Sequence, residues 1–385
     1  MTRPDVVVVG GGLIGTAVAW RLARSGTGVT LVVGDRWRAA SRVAAGMLVP
    51  VTETTFTDRA LIALNQSSRA RWPRFADEVE EDSGLPAGLL RRPTLSVAFG
   101  AEDAARLHAF ATHLDRTGPA AERLSDRECR AEEPLLSATV RSGVLVPGDW
   151  SCDNRVLLDA LATAALHRGV RLVDGFAQRV ESRAGRVTGV TLTDGTMLAS
   201  DRVVLANGAW AGEVEGTPEI PVRPVKGQVL RLDPGRLPSP ALTLRAFHEG
   251  SEVYVVPREH GREVVVGATV EEAGFDDRVT AGGVFSLLRD ARRTVPLSSE
   301  YAIAETNVGW RPGTPDDAPL LGGCELEGLT IATGHHRNGV LLTPVTAEVT
   351  AGHVTAGVLE DVAAPYTLAR FDGAPPPPAG LRAVV

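Results

Sequence analysis

Asp5-Val6-Val7-Val8-Val9-Gly10-Gly11-Gly12-Leu13-Ile14-Gly15 is the stretch that decides the fold of this chain. An apolar run ends in glycines at 10, 12 and 15, the G-x-G-x-x-G spacing, and a helical stretch follows from Thr16 to Ser25. A second apolar run, Val29 to Val33, completes a strand, turn, helix, strand unit. Gly10 permits a tight turn, Gly12 lets the backbone approach a pyrophosphate, and Gly15 lets the helix pack closely on the strand. The helix N-terminus then turns free N–H groups and a partial positive charge toward phosphate. The spacing alone is weak evidence. The correct element on each side is what makes it a dinucleotide fingerprint.

That fingerprint ordinarily closes with an acid about twenty residues on, which holds the ribose hydroxyls. Here the position carries Val33, followed by Gly34, Asp35 and Arg36. Valine accepts no hydrogen bond. Either Asp35 reaches back from the loop, or backbone and water serve the ribose. As a third option, Arg36 or Arg38 receives a 2′-phosphate. The motif by itself leaves FAD, NAD and NADP open.

The 385 residues have room for two domains, and an apolar content of 44% supports a large core. A net charge of −7 argues against a general nucleic-acid surface. The first strand begins almost at once, without a basic lead and cleavage site, so no signal peptide is expected. No apolar stretch approaches the length of a membrane span. The chain reads as cytoplasmic. Cys129, Cys152 and Cys324 form no C-x-x-C, and His335-His336 are adjacent, so neither a disulfide framework nor a metal site is expected.

Along the chain, helical periodicity covers Thr57 to Glu81, Glu102 to Gly118, Asn154 to Arg168 and Ala281 to Thr294. Ser125-Asp126-Arg127-Glu128 resembles a capping box. Short strands with turn residues fill 170–199, and Arg202 to Trp210 reads as a second apolar, buried parallel strand that runs into glycine. A β-rich segment follows from about Val222 to Thr269, and strands are expected at Ile303 to Trp310 and Leu329 to Ala332. The loop Gly334 to Gly339 is expected to open a last helix reaching about Val358. The proline run at 375–378 is expected to be disordered. The expected class is α/β: a discontinuous Rossmann-like FAD-binding domain (1–85, 140–220, 325–372) carrying an inserted β-rich α+β substrate domain (86–139, 221–324), with a tail at 373–385. This discontinuity tilts the cofactor toward FAD.

Several segments together resemble the glycine oxidase (thiamine-pathway) branch of the FAD-dependent D-amino-acid oxidase family. They are VVVVGGGLIG (6–15), VAAGMLVPVTE (43–53), PVKGQVLRL (224–232), VYVVPRE (253–259), VVVGATVEE (264–272), RPGTPDDAPLLG (311–322) and TGHHRNGVLLTP (333–344). The likeness runs from about residue 5 to 371. It implies non-covalent FAD and oxidation of glycine, or another small amino acid or amine, to the imine. O2 is then reduced to H2O2, and the imine serves thiamine thiazole synthesis. It also implies a homo-oligomer.

Residue by residue, the resemblance places Gly10, Gly12, Leu13, Ile14 and Gly15 in the pyrophosphate turn. Val33 and Gly34 fall at the ribose position, a departure from the family's glutamate. Ala40 and Ser41 come near the cofactor, and Ala45, Gly46 and Met47 run along the flavin with Met47 near the substrate. Val180 is matched to the residue whose backbone meets the adenine. His335, His336, Arg337, Asn338, Gly339, Val340 and Leu341 form the loop and helix start beneath the pyrimidine end. Arg311 matches the arginine that pairs with the substrate carboxylate, Tyr254 the tyrosine that assists it, and Arg337 a second substrate-side arginine. Histidine at 336, Glu252 and Val270 depart from residues that relatives carry, where some have an aromatic, a histidine and a methionine.

The chemistry suits these residue types. Hydride transfer from Cα requires alignment, and a planar guanidinium fixes a carboxylate bidentately where lysine would not. Without the resemblance, Arg311 reads as a surface ion pair and Tyr254 as a half-buried strand tyrosine. Two further classes stay open from sequence: a specialised amine oxidase or dehydrogenase of another pathway, and a flavin-fold scaffold without enzymatic activity.

Overall fold

The computed structural model describes residues 4–35, 39–51, 59–117, 120–258 and 261–372. Arg36, Arg38 and the proline-rich tail fall outside the described residues.

The N-terminal unit forms as its sequence dictates. Strand Val6–Val9 is buried at every position, and helix Leu13–Arg24 and strand Val29–Val33 follow it. Each fully buried valine contributes roughly 1.5–3 kcal/mol. These strands lie inside a six-stranded sheet ordered 320–323, 329–333, 203–205, 6–9, 29–33, 171–174. All neighbouring pairs are parallel except Leu320–Gly323, which runs antiparallel at one edge. A parallel sheet needs both faces covered. One face packs on helices Leu13–Arg24, Asn154–His167 and Thr343–Ala356 around Trp20, Leu161 and Ala347. The other packs on a three-stranded antiparallel sheet made of 177–183, 186–192 and 197–199.

Helix Arg59–Ser83 closes over the first of these faces through Trp72 and Phe75. Near its C-terminus, Asp82 accepts from Trp20 Nε1 (2.8 Å) and pairs with Arg24 (2.7 Å) and Arg168. Burial alone would raise the Asp82 pKa, but these donors outweigh it and hold the carboxyl at about 2.

The second sheet has eight strands, ordered 302–313, 223–233, 264–267, 251–257, 243–248, 94–98, 142–146, 122–125. Helix Ala281–Thr294, expected with these bounds, covers one face around Leu287 and Ala291. Helix Ala101–Thr117 covers part of the opposite face beside Ala98 and Val144. The capping box at Ser125 is present and opens helix Asp126–Glu132.

Strand membership shifts two of the expected boundaries. Ser142–Val146 joins the eight-stranded sheet, and Leu320–Gly323 joins the parallel one. Ser142–Val146 pairs with Thr94–Ala98 well upstream, and Leu320–Gly323 forms a short hairpin with Leu329–Thr333, so local composition does not reveal the sheet that either joins. No helix among the described residues is long and apolar enough to cross a membrane.

Candidate active site

A cavity of about 690 Å³ runs between the two sheets. At the parallel sheet it is lined by Gly10–Ile14. Gly10 has φ +122°, and a Cβ there would stand 2.3 Å from the Ala206 carbonyl oxygen. A Cβ on Gly15 would stand 1.9 Å from the Gly10 oxygen, so Gly15 shapes the turn from behind without lining the cavity. Gly12 caps the helix and carries no side chain to compete for its free N–H groups. Ser41 Oγ accepts from Leu13 N–H at 2.9 Å and ties the turn to the segment beyond the second strand.

The ribose position explains itself structurally. Val33 does not line the cavity. Its Cγ1 lies 2.5 Å from where a Cβ on Gly11 would be, so the valine fills the space against the glycine turn. Gly34 and Asp35 do line the cavity, with Phe176, Gln178 and Thr193 nearby. Among the described residues, Asp35 is thus placed at the cavity as the option of an acid reaching back from the loop requires.

Val180 needs correction. It is buried between the parallel sheet and the three-stranded sheet, its N–H donates to the Glu215 carbonyl at 2.8 Å, and it does not line the cavity. Ala177 and Gln178 stand there instead. The strand is irregular between Ala177 and Arg179, which displaces any residue count made along it.

Ala40, Ser41, Ala45, Gly46 and Met47 line the middle of the cavity. Gly46 has φ +76°, and a Cβ would stand 1.9 Å from the Cys152 oxygen. Met47–Leu48 pairs with Trp150–Cys152. Behind this segment lies Arg258, only 3% exposed, which sequence reasoning passed over. Its Nη1 donates to the carbonyls of Ala45 (2.8 Å) and Cys152 (3.2 Å), and its Nη2 to Asn154 Oδ1 (2.7 Å). Asn154 in turn donates to the Ser41 carbonyl. One buried guanidinium thus holds the segment that faces the cavity. The sequence signal was an arginine closing the strand Val253-Tyr254-Val255-Val256-Pro257.

The far end is built by the eight-stranded sheet. Arg311 sits on strand Ala302–Gly313 and donates from Nη1 to the Thr269 carbonyl at 3.2 Å. Its guanidinium lies over Gly227 of the adjoining strand, where a Cβ would be 2.4 Å from Nη1. Tyr254 does the same from the other side. Its hydroxyl lies over Gly267, where a Cβ would be 2.3 Å away. The strands carrying Gly227 and Gly267 are themselves neighbours, with Val229 opposite Gly267. Arginine and tyrosine thus lean toward each other across two glycine-bearing strands, and both line the cavity.

Arg337, Met47, Ala268 and Val270 also line it. Arg337 Nη2 is 3.6 Å from Glu252 Oε1, which also takes Arg245. Burial would raise the Glu252 pKa, but the two guanidiniums prevail and set it at about 2.

The loop at 334–340 differs in part from expectation. The last helix runs Thr343–Ala356, and a short 3-10 turn, His336–Asn338, precedes it. Proline in the helix's first turn and the irregular backbone, with His336 at φ +46°, delay the helix. The lining backbone is therefore the turn at 335–337 with 339–340, and the helix N-terminus lies further along. Asn338 and Leu341 do not line the cavity. Asn338 closes the turn by donating its N–H to the His335 carbonyl (2.8 Å). The Leu341 carbonyl accepts from Ser68 Oγ (2.7 Å) and Trp72 Nε1 (2.9 Å). His335 lines the cavity yet is buried, which lowers its pKa to about 3. It is a neutral imidazole bonded to Thr346.

A glycine-turned parallel sheet continuous with a cavity that ends under an arginine and a tyrosine is the arrangement of a dinucleotide-dependent oxidoreductase. Comparison with known proteins agrees. The family model for FAD dependent oxidoreductases (DAO) matches residues 5–352. The chain is 35% identical over 374 residues to the bifunctional protein ThiO/ThiG of Trichormus variabilis, covering 96% of this chain and 55% of that protein. It is 34% identical over 376 residues to glycine oxidase of Geobacillus kaustophilus, covering 96% and 98%. The crystal structure of the Geobacillus kaustophilus glycine oxidase superposes with a TM-score of 0.87 at 32% identity, covering 96% of this chain and 99% of that one. The chain spans about half the length of the bifunctional curated relatives.

This chain belongs to the FAD dependent oxidoreductase (DAO) family. It is an oxidoreductase whose cofactor is FAD. A scaffold role without enzymatic activity is set aside. The residues fit the cofactor. The backbone of the glycine turn at 10–12 faces the cavity with no side chain in front of it, and the same cavity is lined at its other end by Tyr254 and Arg311.

Proposed function

We propose that this chain oxidises glycine, or a similarly small amino acid or amine, to the imine, with O2 reduced to H2O2, in the supply of imine for the thiamine thiazole. The observation that carries this reading is the convergence of Arg311 and Tyr254 over Gly227 and Gly267 at one end of the cavity. The similarity to glycine oxidase over 98% of that protein's length supports it. A homo-oligomer in the cytoplasm belongs to the same proposal.

The reaction removes two electrons and two protons from the amino acid: a hydride from Cα and a proton from nitrogen. O2 takes up both electrons and both protons as H2O2. FAD supplies the two-electron acceptor chemistry that links these halves. The protein's part is orientation. The Arg311 guanidinium receives the carboxylate bidentately and fixes the rotation of the Cα–H bond. The Tyr254 hydroxyl donates to the same carboxylate, and Arg337 adds positive charge beside it. Met47 and Ala268 add apolar lining to the same cavity.

A second reading keeps the chemistry and changes the substrate, to a small amine of another pathway. It rests on Val270, a short side chain lining the cavity and 43% exposed, which leaves room that a longer side chain would fill.

The test is oxygen uptake and peroxide formation by the flavin-loaded protein across a panel of glycine, sarcosine, D-alanine and simple amines, repeated with an artificial electron acceptor. Glycine turnover above the panel supports the first reading. Preference for a bulkier amine supports the second. Absence of turnover with every member removes both.

A further inference from the structure

We infer that Glu252 is a specificity-determining residue that partly neutralises Arg337, so that the cavity accepts substrates bearing one carboxylate and disfavours those bearing two. This rests on the reading that the Arg311 end of the cavity receives a carboxylate.

Glu252 and Tyr254 stand two apart on strand Ser251–Pro257 and so face the same side of the sheet. On the neighbouring strand, Phe247 lies opposite Glu252 and Arg245 opposite Tyr254. Opposed residues of an antiparallel pair share a face. Arg245, Tyr254 and Glu252 therefore form one patch on the cavity side. The Glu252 carboxylate takes Arg245 through Nη2 and through Nε at 3.2 Å, and the same oxygen is 3.6 Å from Arg337 Nη2. One anion is thus shared by two cations that reach it from different parts of the chain.

The two arginines are not equivalent. The Arg245 side chain is only 5% exposed, and it does not line the cavity. Its Nε and Nη2 both donate to Glu252, which makes Arg245 an internal support for that carboxylate. Arg337 is 35% exposed at its side chain and lines the cavity. Glu252 therefore has a fixed counter-ion behind it and a cavity-facing one in front. Arg106, on helix Ala101–Thr117, adds a further positive field at Glu252. The carboxylate stays ionised across the accessible pH range.

For a substrate held at Arg311 by its only carboxylate, Glu252 is a bystander that orients Arg337. A second carboxylate directed at Arg337 meets Glu252 at the same guanidinium. Two anions within a few ångströms repel, and a cation already paired has less to offer. Selection is therefore exercised against charge, by a group that makes no contact with the preferred substrate.

The experiment titrates flavin-loaded protein with acetate and with malonate, neither of which can be oxidised at an α-amino carbon. Binding is read from the perturbation of the flavin absorbance. Glu252→Gln is expected to shift the ratio of the two dissociation constants at least tenfold in favour of malonate. Glu252→Asp, which keeps the charge, is expected to restore the original ratio. Adding Arg337→Gln to Glu252→Gln is expected to abolish the gain, and Arg337→Gln alone to weaken malonate relative to acetate. The inference is overturned if the ratio in folded Glu252→Gln stays within threefold of the original, if the gain survives loss of Arg337, or if neither anion perturbs the flavin. A shifted ratio in a protein that does not oxidise glycine would remove the proposed substrate and leave this inference standing.

Discussion

Replacing Gly227 by alanine displaces Arg311 without touching the arginine itself. A Cβ at Gly227 would lie 2.4 Å from Arg311 Nη1 and 2.8 Å from Cζ and Nη2. Such contacts do not persist, and the atoms that yield are the far end of a long side chain, so the guanidinium swings off while the sheet stays intact. A charge-assisted hydrogen bond contributes about 1.5–3 kcal/mol, and a tenfold change in rate or affinity corresponds to about 1.4 kcal/mol. Losing the aligned pair should therefore lower kcat/KM roughly 10- to 150-fold. Part of the loss should fall on kcat, because a misplacement of about 1 Å disturbs hydride alignment as well as binding. The assay is steady-state oxidation of glycine by flavin-loaded wild type and Gly227→Ala. Gly282→Ala serves as the control, since a Cβ there meets nothing within 4 Å. Thermal unfolding should differ little among the three. A Gly227→Ala protein that retains flavin and stability and turns over within threefold of wild type would refute the placement of the substrate carboxylate at Arg311.

Arg258→Met should destabilise the protein by about 3–5 kcal/mol and loosen FAD retention, measured by urea unfolding and by flavin released on gel filtration. The reason is that it strands buried acceptors on Ala45, Cys152 and Asn154. Asp35→Ala should weaken FAD binding by about 1–2 kcal/mol, measured by quenching of flavin fluorescence, because Asp35 lines the cavity two residues after Val33, which cannot accept a hydrogen bond. Asp82 has its pKa depressed in the folded state, so its contribution is complete above the unfolded value and is lost as pH falls through about 2. Asp82→Asn should therefore cost about 2 kcal/mol at neutral pH, and the deficit should shrink between about pH 4 and pH 2 in denaturation experiments.

Much of this molecule was legible in the sequence because the relevant signals were local. Val6–Val9 with Gly10, Gly12 and Gly15 specify their own conformation within a dozen residues. The periodicity of 281–294 likewise set a helix with the bounds found. What escaped depended on strand pairing and packing that the local sequence does not encode. Leu320–Gly323 is too short to declare its sheet, and its parent strand lies across a turn. Val180 was misplaced because a strand irregularity at Ala177–Arg179 alters the register. Arg258 reads as a charge following a strand, and only the folded chain shows three backbone and side-chain acceptors gathered around it. The convergence of Arg311 with Tyr254 was expected from resemblance. Its physical basis, glycines at 227 and 267 on adjoining strands, is visible only once the strand order is known.

The central claim is that a small amino acid is held by Arg311 with its Cα–H turned toward FAD. It is tested most directly by mixing oxygen-free, flavin-loaded protein with glycine and following the visible flavin band. Complete bleaching by glycine, slowed at least tenfold in Gly227→Ala, is the expected result. A band that persists at saturating glycine, or bleaches equally fast in the two proteins, would contradict the account.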